Sequence, residues 1–257
     1  MVLPTEEKQL RKITKPIFTY TIIIISLAMY FVENISPEIY AFLKNDFGLI
    51  PSQLMNGENL HALITSIFLH VGLYDGWPLS LIHIGVYMLL LGLFGDDAEN
   101  VFGNALFPLF YLFCGVIGGL FHSALVVTFL TPAMDLPAWG SSGAIFGIMA
   151  AYAFFFPKRK LKIYYLAREY YTTISYRTVI RSSRISAWVF VVVIILFELA
   201  FTLFVINFGT FYVFGNTANI GGFMGGIIFT LLFRTTGRGR WIKRESRVMD
   251  FELAEVN

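Results

Sequence analysis

The sequence predicts an all-α polytopic membrane protein, a bundle of six transmembrane helices. Three observations carry that expectation. Of the 257 residues, 56% are hydrophobic and only 14% are charged, against roughly 25% charged in an ordinary soluble domain. Apolar windows recur along the chain at lengths near the roughly 20 residues that a helix needs to cross hydrocarbon. All but one of the 19 Lys and Arg residues fall in three short clusters, so the spans can be counted by charge as well as by hydropathy.

The first predicted span is Pro16–Val32, a run long enough to read as an uncleaved membrane helix rather than a removable signal. The second is Leu81–Phe94, which the apolar turn Leu63–Leu69 could extend. The third and fourth are Leu106–Leu130 and Gly140–Phe156; the fifth and sixth are Ile185–Phe208 and Asn219–Phe233. The second, fourth and sixth are short, as helices in a bundle are when their ends meet a water-filled cavity instead of lipid.

The basic clusters lie before the first span, between the fourth and fifth, and after the sixth; Lys44 stands apart. Six spans put all three clusters on one side, which the positive-inside rule makes cytoplasmic, whereas five or seven would strand one outside. The expected organisation is a cytoplasmic N-terminal segment at 1–15, a membrane domain at 16–234 and a cytoplasmic tail at 235–257. The segment from Asn34 to about Ala62 is then external, with Ile39, Tyr40, Phe42 and Phe47 marking an amphipathic interfacial piece. Leu161–Tyr176, tyrosine-rich beside basic residues, reads as an interfacial anchor on the cytoplasmic side.

Two runs could carry chemistry. Trp139-Gly140-Ser141-Ser142-Gly143 opens the fourth span, and glycines around a serine at a helix start leave amides free to stabilise an oxyanion. The alternative use of such small residues is helix packing. Ala218-Asn219-Ile220-Gly221-Gly222 opens the sixth span, with Gly222 and Gly226 forming a GxxxG face and Asn219 one turn before it. Glu198, midway along the fifth span, is a functional candidate because an intramembrane carboxyl is costly. His122, inside the third span, is expected to make an interhelical hydrogen bond. Cys114 is a packing residue. The four histidines are scattered with no metal-ligand spacing, so no metal or cofactor is expected. The basic clusters follow from topology and predict no nucleic-acid partner.

With these motifs in order, the chain resembles the rhomboid family of intramembrane serine proteases. The resemblance rests on Leu63–His70, on Phe94–Gly103, on the GxSG pattern at Gly140-Ser141-Ser142-Gly143, and on Ala218, Gly222 and Gly226 of the sixth span, over roughly residues 50–235. It implies Ser142 as the nucleophile position, and Gly140, His83 and Tyr87 around an oxyanion and substrate cavity. Glu198 then lies on the helix that borders lateral substrate entry.

The departures are as informative. The family's general-base histidine is Asn219 here, and the asparagine of its HxxxN motif is Tyr87. His61-Ala62 replaces an external Trp-Arg pair, and Tyr74–Pro78 reads as an insertion. An amide has no lone pair that titrates near neutral pH, so Asn219 cannot take the serine proton. The resemblance therefore implies a pseudoprotease that binds transmembrane segments of other proteins within the bilayer. The alternative is an intramembrane serine endopeptidase using Ser142 with another base, such as His83.

Overall fold

A computed structural model describes residues 2–4, 14–172, 175–208, 216–240 and 242. The chain is a helical membrane bundle. Helix α1 (Ile17–Glu33) is followed by three short helices, α2 (Pro37–Phe47), α3 (Pro51–Met55) and α4 (Ala62–Thr65), and a 3-10 turn at Ser66–Phe68. Then come α5 (Leu79–Phe102), α6 (Phe107–Phe129), α7 (Ser142–Phe155), α8 (Ala187–Phe208) and α9 (Asn216–Phe233). Four helices, α5, α6, α8 and α9, are long and apolar enough to cross a membrane; α1 and α7 are shorter apolar helices of 17 and 14 residues.

Local chemistry explains the boundaries. Ser36 accepts a hydrogen bond from the Ile39 N–H at 3.3 Å and Pro37 occupies the first turn, which together start helix α2 within the segment expected to be external. Gly103, at φ +85°, ends α5 by donating its N–H to the Glu99 carbonyl at 2.7 Å. That left-handed conformation is one glycine adopts without a Cβ clash.

Two expectations for the helices need correction. The second apolar segment is not short: α5 is 24 residues and continues through Gly95–Phe102, beyond the expected end at Phe94. Its polar residues serve other elements from within the helix. Glu99 accepts the Phe18 and Thr19 N–H groups and the Thr19 hydroxyl at 2.8–3.0 Å, satisfying amides at the start of α1 that have no intrahelical partner. Asp97 pairs with Arg159. Nor does Leu63–Leu69 extend α5; it folds separately as α4 and the 3-10 turn.

The bundle is largely helical and not all-α as expected, because the tyrosine-rich basic segment pairs as an antiparallel hairpin of β2 (Lys160–Thr172) and β3 (Ser175–Ser186), edged by β1 (Val2–Pro4). Leu166 faces Ile180 across the hairpin and both are about 73% exposed, an apolar surface on the segment expected to anchor at the interface.

Contacts gather one set of helix ends at a common edge. Thr14 reaches Asn100, Arg159 reaches Asp97, and Arg238 donates to the carbonyls of Asn100 and Val101 at 3.0 Å. The starts of α1 and α6 and the ends of α5, α7 and α9 therefore meet there, above a cluster of Phe102, Phe110, Phe155, Phe229 and Phe233 rings.

At the centre lies α7, buried along almost its whole length and packed face to face on α9. A Cβ at Gly222 would lie 1.9 Å from the Gly143 carbonyl oxygen, and one at Gly226 would lie 2.4 Å from that of Gly147. Both carbonyls are backbone and cannot swing aside. Gly222→Val is expected to abolish a monodisperse, cooperatively unfolding protein in detergent. Gly237→Ala, where a Cβ meets nothing within 4 Å, should leave thermal unfolding unchanged.

Candidate active site

Ser142 is the first residue of α7, and Gly140 two residues earlier has φ +131°, a value L side chains rarely adopt. Three contacts fix this entry. Leu49 and Ala138 exchange backbone hydrogen bonds at 2.8 Å, and the Gly140 N–H donates to the Ser66 carbonyl at 2.9 Å. The third is the Lys44 ammonium, 4.0 Å from the centre of the Trp139 ring. Ser142, Gly140, Gly143, Ser66 and His122 line a cavity of about 30 Å³, room for a water or two.

Asn219 lies in the first turn of α9, only 2% exposed, and its Oδ1 accepts no hydrogen bond among the described residues. From α5 the Tyr87 hydroxyl lies within interaction range of both the Ser142 hydroxyl and the Asn219 side chain. The two helix starts therefore share a polar neighbour. On its other side Asn219 approaches the Glu198 carboxyl, which accepts a hydrogen bond from Asn216 Nδ2 at 2.6 Å. Glu198 is buried, with 7% of its surface exposed. A polar row thus runs from α8 through α9 and α5 to α7: Glu198, Asn219, Tyr87, Ser142.

The His83 and Tyr87 ring centres are 4.6 Å apart, and the buried His83 Nδ1 has no partner among the described residues. Neither His83 nor Tyr87 lines the small cavity; Gly140 does. His122 Nδ1 lies 2.6 Å from the Thr217 hydroxyl, the expected interhelical hydrogen bond between α6 and α9. Among the described residues no group of three or more His, Cys, Asp or Glu is placed to hold a metal.

A model of the rhomboid domain matches residues 57–236. The chain belongs to the rhomboid family. It is similar to Rhomboid protease GluP of Bacillus subtilis, 29% identical over 140 residues that make up 53% of this chain and 24% of that protein. It is also similar to Rhomboid protein 1, mitochondrial, of Saccharomyces cerevisiae, 30% identical over 82 residues, 32% of this chain and 23% of the yeast protein. This rhomboid chain thus spans about a quarter of the length of these relatives.

Sequence reasoning missed the polar cluster beneath Trp139, although Lys44 was the one basic residue outside the clusters. Its ammonium bonds Glu33 Oε2 at 3.1 Å and the His70 carbonyl, and the His70 N–H donates to the Glu33 carboxylate at 3.0 Å. Glu33, Lys44 and His70 are all at most 3% exposed. The Tyr40 hydroxyl donates to Asp75, and the Gly72 N–H bonds the same carboxylate at 3.1 Å, so the inserted Tyr74–Pro78 segment is tied into this cluster. Burial brings the Lys44 ammonium down to about 8.

Burial, then the Lys44 charge, brings the His70 imidazole from 6.5 down to about 3. Between these values the unfolded chain binds a proton that the folded chain refuses, so the contribution of His70 to stability rises with pH from about 3 to 6.5 and is level above. The expected cost is about 1.4 kcal/mol for each pH unit below 6.5. Denaturant titrations of wild type and His70→Gln at pH 5 and 7 should show a difference between the pH values that is about 2 kcal/mol larger for the wild type. Lys44→Met, which strands the buried Glu33 carboxylate, should cost about 3–5 kcal/mol at pH 7.

Proposed function

We propose that this rhomboid-family membrane protein is a pseudoprotease that binds transmembrane segments of client proteins without cutting them. It spans the bilayer six times with both termini in the cytoplasm. The observation that carries this reading is Asn219, an amide at the position of the family's general base and a neighbour of Tyr87 and Glu198. Hydrolysis requires a group that removes the Ser142 proton as the carbonyl is attacked. A carboxamide nitrogen has no basic lone pair, and its oxygen is far too weak a base near neutral pH. In a soluble serine protease, loss of the histidine alone costs on the order of 10⁶ in turnover.

What remains suits binding. The polar row from Glu198 to Ser142 offers hydrogen-bond partners inside the bilayer, where a client helix finds few others. The position of α8 supports a lateral entry role for Glu198. This helix packs on α7 and α9, with most of its length turned outward.

A second reading, an intramembrane serine endopeptidase, is favoured by Ser142 itself, which keeps its Gly140–Gly143 setting and a small cavity beside it. His83 is the candidate substitute base, but it packs on the Tyr87 ring and does not line the cavity beside Ser142, and no hydrogen bond joins it to the serine among the described residues. A Tyr87 hydroxyl near Ser142 supports the role of an oxyanion donor and not of a base.

A cleavage assay in membranes with a generic rhomboid substrate separates the two readings. Wild type and Ser142→Ala are expected to be equally silent, with cutting gained in Asn219→His. Cutting by the wild type that disappears in Ser142→Ala would overturn the pseudoprotease reading.

A further inference from the structure

A second cavity, of about 470 Å³, opens at the edge where the helix ends and basic residues gather. Its lining includes Lys15, Ile17, Phe102, Asn104, Leu106 and Arg238. Ile17, Phe102 and Leu106 make part of the lining apolar, and Lys15 and Arg238 make part of it cationic. No Asp or Glu lines it among the described residues; the nearby Glu99 carboxylate is turned to the first amides of α1. We propose that this cavity binds the phosphate of an anionic glycerophospholipid headgroup.

Arg238 is built into place. Its Nε and Nη2 are held by the carbonyls of Val101 and Asn100 at 3.0 Å, leaving Nη1 to a ligand. Gly103 allows the guanidinium to lie flat over the end of α5, since a Cβ there would sit 3.3 Å from it. A guanidinium fixed in this way loses little freedom when it takes a phosphate oxygen. Lys15 makes no side-chain bond among the described residues and supplies a mobile second cation, suited to a phosphate as a point charge.

The position distinguishes a lipid from free phosphate. The cavity sits at the start of α1, the end of α5 and the start of α6, and the ends of membrane-crossing helices lie at the depth of headgroups. Ile17, 54% exposed, continues the apolar wall along α1 to receive the start of an acyl chain. Basic pockets between helices on the cytoplasmic side bind anionic headgroups by this combination of charge and depth.

The test uses the full chain in nanodiscs of equal phosphatidylglycerol and phosphatidylcholine, released for native mass spectrometry. Wild type is expected to retain phosphatidylglycerol preferentially. Lys15→Ala and Arg238→Ala should each lower that preference about fivefold, the factor matching about 1 kcal/mol per basic residue near an anionic surface. Lys162→Ala, a basic residue on the hairpin outside the cavity, should not. Lys15→Ala removes no structural bond, so its result stands if Arg238→Ala fails to fold. Equal losses in Lys15→Ala and Lys162→Ala would show diffuse attraction and overturn the site. So would inorganic phosphate binding with no preference between the lipids.

Discussion

The contact on which the rest of this molecule depends is the glycine-mediated approach of α7 and α9. Gly143 and Gly147 on one helix meet Gly222 and Gly226 on the other with backbone against backbone. In a bilayer, apolar side chains gain nothing by leaving lipid, so close packing of small residues must hold such helices together. The register of that contact places the first turn of α7 beside the first turn of α9. Ser142 and Asn219 share Tyr87 as a consequence, and any slip along the interface would separate them. Glycine packing and candidate site are one feature of the sequence, not competing explanations of it.

Around this pair the fold spends its buried polar groups on positioning. At one edge Glu99, Asn100 and Arg238 tie α1, α5 and the residues after α9 together. Near the start of α7, Lys44, Glu33 and His70 hold Trp139, the residue before Gly140. Such buried ionic clusters contribute little net stability compared with apolar packing, but breaking one partner is costly. Their effect is to fix where a loop sits. The Ser142 setting is therefore rigid for reasons independent of whether it performs chemistry, and a binding protein has as much use for a rigid cavity wall as a protease.

Much of this was legible in the residues. The apolar runs mark all the long helices, because a spanning helix must be apolar wherever lipid surrounds it. His122 was readable as an interhelical bond because a buried imidazole needs a partner, here Thr217. What hydropathy could not show is where polar residues continue a helix. Asp96 to Asn100 extend α5 because they bond to neighbouring elements, and those partners are distant in sequence. The hairpin at Lys160–Ser186 was hidden for another reason: tyrosines and basic residues suit an interface in either secondary structure, and only the cross-strand pairing selects strands. Asn216 and Thr217 lay just outside the predicted sixth span, yet each completes a bond to Glu198 or His122.

The central claim is spatial: the side chains of Ser142 and Asn219 meet at one polar site. Thiol cross-linking tests it most directly. In a Cys114→Ala background, the pair Ser142→Cys and Asn219→Cys should be joined in native membranes by a short thiol-to-thiol cross-linker, each single cysteine serving as control. The account predicts an intramolecular link that protects both thiols from later alkylation. Two thiols that stay separately alkylable in folded protein would contradict it.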